Sequence, residues 1–115
     1  MLTLRLYMLQ RITALLMAPF VLTHLVVMIY AIQGGLSAAE ILGRTQGSLV
    51  WFLFYGTFVV CVAVHGAIGL RAIVHEWLGV SGSFLEIIMW AVGLGLWFLG
   101  AQAVWAVTYA SAAAA

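Results

Sequence analysis

Residues 12–32 read ITALLMAPFVLTHLVVMIYAI, and this stretch decides the fold. It contains no Asp, Glu, Lys or Arg, and a helix needs about 20 apolar residues to cross the hydrocarbon core of a bilayer. Two further stretches qualify, residues 49–70 and 84–107. Pro19 removes one backbone donor from the first span and marks the expected place for a kink. The composition agrees. Of 115 residues, 67% are hydrophobic and 6% charged, against about 25% charged in soluble domains, and the mean hydropathy is +1.23.

The connections are short. Gln33 to Gly47 forms the first, with Gly34, Gly35, Gly43 and Gly47 as breakers. Inside it, Ser37-Ala38-Ala39-Glu40 matches a capping box, which predicts a short interfacial helix over Ala38 to Leu42. His75 to Ser83 forms the second connection, with Gly79 and Gly82. Successive spans then run antiparallel. Arg5, Arg11 and Arg71 fall at one end and Arg44 at the other, which favours the N-terminus inside. Tyr30, Trp51, Trp77, Trp105 and Tyr109 lie near span ends, where aromatic belts form. The expected fold is an all-α membrane protein of three transmembrane helices, up-down-up, in one anchor domain over residues 1–115.

Several functions are excluded. A net charge of +1 with no basic cluster offers nothing to a phosphate backbone, so no nucleic-acid partner is expected. Cys61 is the one cysteine and reads as a buried helical thiol. The start does not read as a signal peptide, because Arg11 interrupts the apolar run after Arg5. Gly-rich phosphate loops, Cys-x-x-Cys, His-Glu-x-x-His and paired carboxylates are absent, and three spans leave little mass for a soluble catalytic domain. Chemistry must come from a cofactor or a partner. The tail from Ala112 to Ala115 carries no expectation.

Two histidines stand inside the spans, His24 in VLTHLVV and His65 in VAVHGAIGLR. An ionisable residue at membrane depth is costly and marks a functional hypothesis, and imidazole is a standard axial ligand of haem iron. Arg71 follows His65 by six residues, which places it about 9 Å nearer the surface. That offset suits a haem held at depth by imidazole with its propionates on an arginine. Gly66 and Gly69 leave room beside His65 for a macrocycle or for a close neighbouring helix. The competing reading of each histidine is a polar bridge between helices. His24 lies about 20 Å from Arg11 along the axis, so the two imidazoles sit at different depths and would serve separate haems. Arg11 with Gln10 and Thr13 forms a polar cluster for propionates or quinone oxygens, or simply orients the span. His75 and Glu76 are interfacial, with a proton relay as the alternative to a solvated helix end. Glu40, Arg44 and Glu86 read as surface or span-end residues.

His65-Gly66-Ala67-Ile68-Gly69-Leu70-Arg71, followed by Glu76, resembles the haem-ligand motif of the succinate dehydrogenase cytochrome b subunit, His-x-x-x-Gly-hydrophobic-Arg with an acidic residue five positions on. Gln10-Arg11-Ile12-Thr13-Ala14 is similar to that family's His-Arg-hydrophobic-Ser-Gly signature, with Gln10, Thr13 and Ala14 as departures. The resemblance covers about residues 7 to 77. It implies that His65 is an axial ligand of haem b whose mate lies on a second membrane anchor subunit. It implies that Arg11 lies near the propionates and a quinone pocket, that Tyr7 stands where relatives carry a pocket serine, and that Glu76 holds the acidic position. His24 resembles the helix-one histidine of two-haem members, which implies two haems shared with the partner anchor. The implied assembly also contains an iron–sulfur subunit and an FAD flavoprotein, docked near Arg5 to Arg11 and His75 to Ser83, in a bacterial inner membrane. The alternatives are a cytochrome subunit of another respiratory dehydrogenase and a haem-free structural anchor.

Overall fold

A computed structural model describes residues 3–35 and 37–110, which form four helices and no strand. They are α1 (Leu4–Gly34), α2 (Ala38–Thr45), α3 (Leu49–Leu78) and α4 (Ser83–Thr108). The alanine tail lies outside the described residues. The three long helices are each apolar and long enough to cross a membrane, as the sequence predicts, so the chain is a multi-pass membrane protein.

The helices overrun the predicted spans, and local chemistry sets the new ends. Thr3 caps α1 by accepting from the Leu6 N–H, so the helix begins before the predicted span and carries Arg5 and Arg11 within it. It then runs through Pro19 without interruption. Ser48 caps α3 in the same way, through the Trp51 N–H. At its far end α3 continues past Arg71 and stops only at Gly79, whose φ of +70° is left-handed and whose N–H donates to the His75 carbonyl. The connection to α4 is therefore shorter than His75 to Ser83. Ser37 caps α2 by accepting from the Glu40 N–H, which is one of the two bonds of a capping box, and α2 extends to Thr45.

α3 is the central helix, and α1 and α4 both pack on it. It supplies Cys61, Ala63, Ala67 and Ile68 to the small core, whereas α1 contributes only Thr13. Most large apolar side chains face outward. In water that would be a liability, but in lipid it is the normal surface, because hydrocarbon tails solvate Leu and Val as well as a protein core does.

The α3–α4 seam is built on small residues. A Cβ on Gly93 would lie 3.3 Å from the Ala67 Cβ, and one on Gly66 would lie 3.1 Å from Leu96 Cδ1. The far end of α4 is tied down by the first connection. Terminal helical carbonyls lack partners within the helix. Here the Gly47 N–H donates to the Thr108 carbonyl at 2.6 Å and Thr45 Oγ1 to the Val107 carbonyl at 2.6 Å. Gly47 reaches this position with φ +73°, open to glycine at little cost. Thr45 is buried, so Thr45→Val leaves a carbonyl without its partner. The expected loss is about 1–3 kcal/mol, read as a lower midpoint in thermal unfolding of the detergent-solubilised protein.

Candidate functional site

His65 and His24 both point into the α1–α3 seam, at different heights. Toward the N-terminal end of α1, Gln10 and Thr13 stand one turn apart and face α3. Thr13 Oγ1 lies 3.2 Å from His65 Nδ1, and the same hydroxyl lies 2.7 Å from the Leu9 carbonyl. His65 Nε2 has no hydrogen-bond partner among the described residues. One turn beyond His65, a Cβ on Gly69 would lie 3.3 Å from Gln10 Nε2, so the missing side chain makes room for the Gln10 amide. The Gln10 Oε1 atom is buried with no partner among the described residues, which leaves an open hydrogen-bonding position in the seam near Gly69. Gly66 and Gly69 thus serve close helix approach, the second of their two sequence readings.

Arg11 does not join this group. Two residues from Thr13 is about 200° round a helix, and Arg11 is exposed with its guanidinium 5.8 Å from the centre of the exposed Tyr7 ring. Tyr7 and Arg11 therefore form a pair on the outward face of α1. Arg71, a turn and a half beyond His65, makes a forked contact with Glu86 Oε1, 3.2 Å from Nε and 3.0 Å from Nη2. The Arg71 side chain is largely covered, while Glu86 is half exposed. Glu86 sits in the first turn of α4, where a carboxylate also favours the helix dipole. Glu76 is exposed. His75 Nδ1 donates to the Val80 carbonyl at 2.9 Å and ties down the α3–α4 turn.

His24 meets α3 further along. Its ring packs edge-on against Tyr55 and Phe58, with centroids 5.9 and 5.6 Å away. The eight residues from about position 57 to His65 put the imidazoles about 12 Å apart in height along α3. His24 lines a cleft of about 470 Å³ shared by all four helices. Arg44, from α2, lines it as well and lies 5.0 Å from the centre of the Tyr30 ring. Tyr30 is six residues beyond His24, so the cation stands about 9 Å nearer the membrane surface. His65 and Arg71 show the same offset at the other end. Arg44 makes no ion pair among the described residues, unlike Arg71.

Sequence reasoning missed Thr13 as the partner of His65 and Arg44 as a neighbour of the His24 cleft. The signal for Thr13 was its three-residue spacing from Gln10, which puts both on one face and Arg11 on another. The signal for Arg44 was its place near the end of a capped helix, which fixes its direction as a loop residue's is not fixed.

Among the described residues no three His, Cys, Asp or Glu side chains converge as a metal site. The donor set is instead single imidazoles at two depths in an apolar bundle, each with an arginine toward the nearer surface. That suits a group bringing its own equatorial ligands and carrying anionic substituents. The class so defined is an all-helical, multi-pass membrane subunit with two intramembrane imidazoles. The chain belongs to the family described as succinate dehydrogenase/fumarate reductase transmembrane subunit, which matches residues 1–91. It is thus a membrane subunit of such complexes and acts with partner subunits. No match was found among curated proteins or among solved structures.

Proposed function

We propose that this chain is a haem b-binding membrane anchor of a succinate:quinone oxidoreductase or fumarate reductase, passing electrons between the iron–sulfur subunit and membrane quinone. The observation that carries the reading is His65, whose Nδ1 is engaged inside the seam while Nε2 has no partner. A haem would supply one-electron storage at depth. His65 would hold its iron, together with a residue of a second anchor subunit. Arg71, six residues beyond His65, would meet the propionates and share its charge between them and Glu86. His24 would ligate a second haem in the other half of the bilayer, with Arg44 above it for the anionic edge.

Tyr7, Arg11 and Glu76 are proposed to line the quinone pocket. They are exposed, at the end of the bundle that also carries Arg5 and Arg71, so a partner subunit would complete the pocket. That end is proposed as the cytoplasmic side of a bacterial inner membrane, by the excess of arginine. The iron–sulfur and FAD subunits would dock there, against residues 5–11 and the α3–α4 turn.

The test is the dithionite-reduced minus oxidised spectrum of the purified complex, with haem b quantified against flavin. Two haems per flavin are expected. One would return His24 to a packing role, and none would leave a haem-free anchor whose Arg71 serves only its pair with Glu86.

A further inference from the structure

The Thr13 hydroxyl is more than a helix residue bonded to its own backbone. A threonine hydroxyl carries one proton and two acceptor lone pairs. The nearest acceptor for that proton is the Leu9 carbonyl at 2.7 Å, with the Gln10 carbonyl at 3.1 Å behind it. Oγ1 therefore presents a lone pair to His65, and Nδ1 at 3.2 Å carries the hydrogen. In that tautomer the free lone pair is on Nε2. Thr13 is only 6% exposed, so water does not compete for either bond. The relay from Nδ1–H through Oγ1–H to the Leu9 carbonyl polarises in one direction, and it places electron density on Nε2.

We propose that Thr13 is the positioning residue of His65: its hydroxyl fixes the imidazole tautomer and ring plane, and makes Nε2 a better-oriented, stronger donor toward haem iron. This rests on the reading of His65 as an axial ligand. Imidazoles that bind metals commonly donate their second N–H to a fixed acceptor, which orients the ring and strengthens the donor nitrogen. A stronger donor ligand stabilises ferric over ferrous iron. Thr13 thereby holds the midpoint potential of the His65 haem below the value an unsupported imidazole would give. A hydroxyl on α1 thus tunes a ligand on α3, and helix packing enters the redox property.

The test uses the intact complex with Thr13→Val, Thr13→Ser and, as reference, His65→Ala. Valine keeps the shape and removes the acceptor. The expected result for Thr13→Val is a haem retained about 10–100-fold less tightly, with a raised midpoint potential and an altered g-spread in the low-spin ferric EPR signal. Thr13→Ser restores all three. A Thr13→Val complex with wild-type potential, EPR signal and haem retention overturns the proposal. If Thr13→Val does not assemble, pulsed EPR on the wild-type complex decides, because the quadrupole coupling of the remote imidazole nitrogen reads its hydrogen bond directly. A bonded value supports the proposal and an unbonded value overturns it. The two readings separate cleanly. Haem lost in His65→Ala but undisturbed in Thr13→Val sinks only the role of Thr13, whereas haem content unchanged in His65→Ala sinks the ligand assignment itself.

Discussion

His65→Ala is expected to remove one haem b from the complex while the subunit still assembles. Losing an outer hydrogen-bond partner of a metal ligand costs about 10–100-fold in affinity, so losing the ligand itself costs more. The fold survives because the Thr13 hydroxyl keeps its bond to the Leu9 carbonyl, and because the packing of α3 on α4 rests on Ala67, Gly93 and Gly66 rather than on the imidazole. The measurement is haem b per flavin by difference spectroscopy, beside thermal unfolding of the same preparation. Added imidazole should restore part of the absorbance, since the substitution empties the space that the ring filled. His24→Ala is the companion variant and should remove the other haem, leaving the His65 signal intact. Equal haem content in wild type and His65→Ala would end the ligand assignment.

The spans were legible because membranes impose a severe rule: every backbone polar group must be satisfied inside the helix, and charge must stay near the interface. An uncharged run such as residues 12–32 has few alternatives. The ends were less legible. Hydropathy reports the hydrocarbon, while Thr3 and Gly79 set the helix termini through hydrogen bonds beyond it. That is why α1 begins at Leu4 and α3 runs on to Leu78.

At the site, His65 and His24 stood out because imidazole at membrane depth is rare. Their surroundings did not. Thr13 looked like part of an interfacial cluster with Arg11, and only helix rotation separates the two. Glu86 looked like a span-end residue, and only the antiparallel register brings it to Arg71. Such pairings between helices depend on register and rotation, which a single sequence leaves open until the helices are packed. The pairing has a chemical consequence for the proposed haems: Arg71 already has a carboxylate neighbour, so it would attract a propionate less than Arg44, which has no ion pair among the described residues.

Gly100→Leu is expected to have the largest structural effect. A Cβ at position 100 would lie 2.9 Å from Val59 Cγ2 and 3.2 Å from Val59 Cβ. Val59 cannot easily turn aside, because β-branched side chains in helices keep one strongly preferred χ1 rotamer. Leucine adds further carbons to a contact already too close, so α4 must move away from α3. Overpacking commonly costs about 1–3 kcal/mol, and a helix displaced along a small-residue seam belongs at or above the top of that range. Gly95→Ala is the control, since a Cβ there meets nothing within 4 Å. It should leave stability unchanged or raise it by about 0.5–1 kcal/mol through helix propensity. Gly100 also lines the cleft that holds His24 and Arg44, so the disturbance is directional. Thermal unfolding in detergent should fall steeply for Gly100→Leu. In the fraction that assembles, the haem assigned to His24 should be lost before the one assigned to His65. A Gly100→Leu protein with a wild-type unfolding midpoint would mean that α3 and α4 do not meet at Val59.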